Sequence, residues 1–313
     1  MLRLIATILF CLLLPLAAWS APLANYTPVQ RAMLTQEGER LLVLRKFDQD
    51  GVPRALVVNP WSLATRIVPQ AELSPAPTPM PADTPYDRAL ADTTRGPVRL
   101  QNHGLSHARQ QVAGQFLTVD LCPSQRPFEQ AFFAALTTLP QSPPIPVAVA
   151  ITGSWLSSHQ KEFDWLRGEE RAGRLAITWV NHSLTHPYVA GVPLAQTFML
   201  TPGLDRRREI LALEQRLIEQ GVVPSVFFRF PGLVTDEAAI SLLRELGLIP
   251  LGSDAWLAKG EIPRAGSIIL VHGNGNEPAG MRRFAELRQQ TLPIRLLPLN
   301  QAIVTAPREG ATR

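Results

Sequence analysis

Two histidines four residues apart, in Asn181-His182-Ser183-Leu184-Thr185-His186, are the sharpest chemical signal in this 313-residue chain. On a helical turn both rings would face the same way, a common geometry for holding a divalent metal. A structural histidine pair in a loop is the alternative that spacing alone leaves open. Three further polar residues end apolar runs: Asp120 in Gln115-Phe-Leu-Thr-Val-Asp120, Arg229 in Val226-Phe-Phe-Arg229, and His272 in Ile268-Ile-Leu-Val-His272. Brought together, a metal-ligating pair, a carboxylate, a cation and a titratable ring would have the makings of an acid–base site.

Two other patterns imitate binding sites. Asn102-His103-Gly104-Leu105-Ser106-His107 repeats the histidine spacing but lies upstream of Asp120, and it reads as a loop rather than a second metal site. Asp48-Gln49-Asp50-Gly51 suggests calcium, but a calcium loop needs glutamate at its twelfth position, where Asn59 stands. It reads as the turn of a hairpin between Arg40–Phe47 and Val52–Asn59.

Elements that could bring the first set together alternate from about residue 115. Strands are expected at Gln115–Leu121, Ile145–Thr152, Leu175–Val180, Ser225–Phe230, Ser267–His272 and Ile294–Leu297. Helices are expected at Phe128–Leu139, Trp155–Arg171, Asp205–Gln220 and Thr235–Leu246. Ile210, Leu213 and Leu217 form one helical stripe, and Gly221 and Gly247 follow two of the helices as stop signals. Alternating units with nearly continuous apolar strands imply a parallel sheet or barrel covered by helices. In such folds chemistry sits at the carboxyl ends of strands, and four of the six expected strands deliver an ionisable residue there.

These segments, in this order, resemble the polysaccharide deacetylases, the NodB-homology family of carbohydrate esterases (family 4). Thr118-Val119-Asp120-Leu121-Cys122-Pro123 matches part of the first family motif, and His182-Ser183-Leu184-Thr185-His186 the second. Arg229-Phe230-Pro231-Gly232, Asp254-Ala255-Trp256 and Leu270-Val271-His272 match the remaining three. The resemblance spans about residues 112–300. It implies an α/β fold, a distorted (β/α) barrel, and metal-assisted removal of N- or O-acetyl groups from a glycan or a small acetylated substrate. It further implies Asp120 as general base, oriented by Arg229, and His182 and His186 as ligands of a divalent metal, with zinc the default. His272 becomes the general acid, tuned by Asp254, and Leu270, Trp256 and Pro231 wall the pocket. One position departs: the family's second aspartate, a metal ligand, is Leu121. Four accounts are open: the metal rests on the two histidines and water, Asp120 becomes a ligand, Cys122 supplies a thiolate, or catalysis is lost. We favour the first two. An inactive glycan-binding protein and an amidase acting on a non-sugar amide stand as alternative functions.

Composition narrows the rest. With 46% apolar and 18% charged residues the chain is neither a disordered polymer nor a collagen nor a multi-span membrane protein. Net charge is +4, all but Lys46, Lys161 and Lys259 of the 30 cations are arginine, and the longest basic run is Arg206-Arg207-Arg208. No nucleic-acid partner is expected. Residues 1–20 read as a signal peptide cleaved before Ala21, which leaves no stable membrane span and predicts a periplasmic or secreted product. Cys11 departs with it, so Cys122 is alone and no internal disulfide can form. Residues 21–73 read as a β-rich extension, 74–111 as a proline-rich linker or arm, 112–300 as the barrel and 301–313 as a tail.

Overall fold

The computed structural model describes residues 22–79, 81, 83–289 and 294–304. The expected signal peptide and most of the expected tail lie outside the described residues. The chain opens with strands β1 (Ala24–Leu34), β2 (Arg40–Gln49), β3 (Val52–Val58), β4 (Thr65–Pro69) and β5 (Ser74–Pro75), followed by helix α1 (Pro85–Thr94). Alternation then begins: β6 (Phe116–Leu121), α2 (Gln130–Leu136), β7 (Ile145–Ile151), α3 (Gly153–Ser158), α4 (Gln160–Arg171) and β8 (Leu175–Asn181). It continues with α5 (Arg206–Glu219), β9 (Phe227–Phe228), α6 (Glu237–Leu246), β10 (Ile249–Pro250), β11 (Ala255–Trp256), β12 (Ile268–His272) and α7 (Pro278–Arg288). No helix among the described residues is long and apolar enough to cross a membrane.

The first five strands form an antiparallel sheet in the order β4-β3-β2-β1-β5. The other seven form a wholly parallel sheet, β10-β9-β8-β7-β6-β12-β11. Among the described residues its edge strands β10 and β11 do not pair with each other, so the expected α/β barrel is an open, half-barrel sheet. The expected hairpin is present as β2 and β3 around Asp50-Gly51, where both residues have positive φ. The chain between 74 and 111, read as a linker, contains α1. Thr84 caps it by accepting from the Asp87 N–H, and Pro85 occupies its first turn, where a missing N–H costs nothing. The expected helix 155–171 is broken at His159, and the expected strand at 294–297 is only a single bridge between Gln115 and Leu296.

The pleat of β6 sorts its side chains onto two faces. Leu117, Val119 and Leu121 pack with Phe133, Leu136, Trp155, Leu213 and Val271 beneath the helices. On the other side, Phe116, Ala148, Ala150 and Val180 share a core with Tyr86 and Leu90 of α1 and with Leu42 and Leu44 of β2. The two sheets therefore bury one another's apolar surface. A buried ion pair joins them: Arg45 of β2 donates from Nε and Nη2 to the Glu214 carboxylate of α5 at 2.7 and 2.9 Å, and from Nη1 to the carbonyls of Leu44 and Leu246.

Candidate active site

Thr118 and Asp120 share the face of Phe116, opposite Leu117, Val119 and Leu121, because successive strand residues alternate faces. Arg229, just past β9, reaches across and is fully buried. Its Nη1 donates to Asp120 Oδ1 at 2.8 Å and to Thr118 Oγ1 at 2.6 Å, and its Nη2 donates to the Gly252 carbonyl. One oxygen of Asp120 is thereby fixed. The other, Oδ2, lies 3.7 Å from His182 Nε2.

The histidine segment is not helical. Ser183 and His186 have φ of 71° and 50°, and this tight turn, rather than a helical one, brings the rings to 4.9 Å between centroids. Two helix starts clasp it. The N–H groups of Gly153 and Ser154, opening α3, donate to the carbonyls of Ser183 and Leu184. The buried Glu209 of α5 accepts from the Thr185 N–H and hydroxyl at 2.8 Å each. A Cβ at Gly153 would stand 2.6 Å from Leu184 Cδ1, so glycine permits this approach. His182 Nδ1 lies 2.8 Å from the Arg229 carbonyl, which can only accept. That bond puts the proton on Nδ1 and turns the lone pair of Nε2 into the site.

Cys122 enters the same space. Following Asp120 and Leu121 along the strand direction, it shares the face of Asp120, and its Sγ lies 3.5 Å from His182 Nε2. Cys122, His182 and His186 each offer one ligand atom, all within 4.8 Å of one another, the only such group of three among the described residues. Burial would raise the Cys122 thiol, but the charges of His186, His272 and His182 outweigh it and hold the thiol well below its ordinary range. Burial likewise opposes the charged form of His182, and Asp120 and Cys122 overcome it, raising this ring above its usual value. Sulfur and two imidazoles, with His182 Nε2 aimed inward beside Cys122 Sγ and His186 Nε2 buried without a partner, fit a zinc-type cation. Leu121, the departure from the motif, is fully buried in the core under the helices and faces away from this group.

His272 stands opposite Asp120 in the pairing of β12 with β6. Its carboxylate neighbour is Glu277, whose Oε2 lies 2.8 Å from Nδ1 as a charge contact rather than an aligned hydrogen bond, and which also accepts from Trp256 Nε1 at 2.8 Å. Burial would favour neutral His272, yet Cys122, Glu277 and Asp120 together raise it well above its usual range. Asp254, expected to tune this ring, does not act on it. Its carboxylate is taken by His107 Nδ1 at 2.7 Å and by the Ile268 N–H. The His103–His107 segment is accordingly a loop: His103 Nε2 lies 3.0 Å from the Thr93 carbonyl, and His107 is bound to Asp254.

These groups surround one cleft of about 580 Å³, lined by Asp120, Cys122, His182, His186 and His272 and walled by Leu270 and Trp256. Pro231 does not line it. The short turn Pro231–Leu233 buries the proline ring and presents Gly232 and Leu233 instead. Gly232 has φ of 60°, and a Cβ there would stand 2.4 Å from the Phe198 ring. Phe198 in turn packs edge-on against His186 and stacks with Tyr188, which is 64% exposed at the cleft rim. Sequence reasoning missed Glu277, Glu209, Phe198 and Tyr188. Only Glu277 carried a signal: a carboxylate five residues after a histidine that ends a strand.

No protein-family model matches the chain. Solved structures of similar fold include a family 4 carbohydrate esterase from Bacillus anthracis, 19% identical over 64% of this chain and 87% of that one, TM-score 0.47. The chitin deacetylase of Colletotrichum lindemuthianum is 16% identical over 67% of this chain and 95% of its own, TM-score 0.44. A mutant of a family 4 pseudoenzyme is 14% identical over 85% of this chain and 89% of its own, TM-score 0.41.

Proposed function

We propose that the chain is an exported hydrolase that removes acetyl groups from a glycan or a related acetylated substrate, with a divalent cation held by the histidine pair. The observation that supports it most is the convergence, in one cleft, of a carboxylate locked by a buried arginine, a clustered donor set and a histidine paired with Glu277. The order of the five motifs along the chain agrees with it. A cation bound at the donor cluster supplies a Lewis acid, which polarises an acyl oxygen and lowers the pKa of water toward about 7.

The remaining work falls to side chains. Arg229 engages Asp120 Oδ1, so Oδ2 is left toward the cleft to accept a proton from the attacking water. His272, held against the Glu277 carboxylate at 2.8 Å, donates to the departing amine or alkoxide. Leu270 and Trp256 offer the apolar wall for an acetyl methyl, and Tyr188 with Phe198 offers ring faces at the rim.

The test is release of acetate from acetylated chitooligosaccharides, other acetylated glycans and aryl acetates with zinc supplied. Release is expected, and its loss in His182→Ala. No acetate from any of them by metal-loaded protein overturns the reading. Glycan binding that survives both His182→Ala and Asp120→Ala would then establish a non-catalytic binder, and turnover of a non-sugar amide alone would establish an amidase.

A further inference from the structure

We propose that Cys122 is the third metal ligand of this chain, replacing the motif aspartate lost at Leu121, so that one thiolate and two imidazoles select thiophilic cations and leave Asp120 to proton transfer. The inference rests on the hydrolase reading for its purpose but not for its geometry. Side chains alternate along β6, so Asp120 and Cys122 share the cleft face while Leu121 sits among Leu117, Val119 and Phe133. A carboxylate at 121 would project into that core. The donor was therefore not deleted from the cleft but stands one residue further on.

Three observations converge on the sulfur. It lies 3.5 Å from the lone-pair nitrogen of His182 and belongs to the one group of three possible ligands among the described residues. Its backbone is held as well: the Cys122 carbonyl accepts from the buried Asn274 Nδ2 at 2.7 Å, so the thiol is presented from a fixed main chain. Asp120 is already committed through Oδ1 to Arg229, which suits a base better than a ligand. Coordination transfers a sulfur lone pair and the two imidazole lone pairs to the cation, and the protons shared by this thiol–imidazole cluster leave to solvent. Thiolate with two imidazoles favours Zn²⁺ or Co²⁺, whereas a carboxylate with two imidazoles would accept Mn²⁺ more readily.

The experiment loads the full chain, stripped with a chelator, with Co²⁺ and then Zn²⁺. Wild type is expected to bind one cobalt with a near-ultraviolet thiolate-to-cobalt charge-transfer band, displaced by zinc and not by manganese. Cys122→Ser loses the band, and its zinc affinity falls by about 100-fold or more, since loss of an outer-shell partner alone costs about 10–100-fold. Cys122→Asp binds cobalt without the band. Cobalt bound by wild type without the band, no binding at all, or Cys122→Ser binding zinc as tightly as wild type overturns the proposal. Should Cys122→Ser not fold, the wild-type spectrum decides alone. Acetate release without the band removes Cys122 from the ligand set and keeps the hydrolase. The band without acetate release keeps the ligand and removes the hydrolase.

Discussion

Asp120, Arg229, His182, His186 and His272 were legible in the sequence because each ends an apolar run or sits at ligand spacing; four of them line one cleft, and Arg229 is buried against Asp120. What could not be read was which neighbour serves which ring. The resemblance puts Asp254 beside His272, but Glu277, five residues on in the turn after β12, reaches the ring while Asp254 closes on His107. Replacing Asp254 by Asn is therefore expected to leave turnover near wild type. Glu277→Gln should lower kcat, though by less than the roughly 10²–10⁴-fold expected of His272→Ala. Steady-state kinetics on one acetylated substrate separates the two, and equal losses in Asp254→Asn and Glu277→Gln would refute the assignment. Leu121 illustrates the same limit. A motif comparison counts positions, whereas the pleat decides where each points. Leu121→Asp, which restores the motif on paper, should leave zinc affinity unimproved and destabilise the fold by about 3–5 kcal/mol, because it buries a charge without a partner. Denaturant unfolding and zinc titration of that variant check both halves.

At the level of elements, periodicity and stop signals located most of the alternating unit, including α5 with its Ile210–Leu213–Leu217 stripe and α6 ending at left-handed Gly247. Short strands were less visible. β9 lies inside the expected strand Ser225–Phe230 but is only two residues long, and β10 and β11, also two residues each, are too brief for any period. The helix α1 was hidden by prolines, although Thr84-Pro85 is a sound helix start. The histidine turn depends on elements remote in sequence, above all Glu209 at the start of α5. Hydrogen bonds to a charged group contribute about 1.5–3 kcal/mol each, so Glu209→Ala should destabilise the chain by about that amount or more and weaken zinc binding, while Glu209→Gln retains part of both. Calorimetry of chelated and zinc-loaded protein measures the two effects. If Glu209→Ala left zinc affinity unchanged, the loop would not need its clasp.

For the whole molecule, the sequence reading separated an extension from a barrel, and the structure joins them. Tyr86, Leu90, Leu42 and Leu44 complete a core with the parallel sheet, and Arg45 reaches Glu214 through it. Nothing in the N-terminal composition announced this, since an arginine within a strand is ordinarily a surface residue. Breaking that pair in Arg45→Met should cost about 3–5 kcal/mol by stranding the Glu214 carboxylate, and urea unfolding should remain a single transition followed by fluorescence and by circular dichroism alike. Two separate transitions would mean that the sheets fold independently. The antiparallel sheet thus shares a core with the parallel sheet whose strands β6, β8, β9 and β12 carry the cleft's polar residues at or just past their carboxyl ends. The most direct test of that chemistry is kcat/KM for acetate release by wild type and Asp120→Asn at equal zinc occupancy. The account predicts a fall of roughly 10²–10⁴-fold in the variant with the metal still bound. Equal rates, or no release by the zinc-loaded wild type, would contradict it.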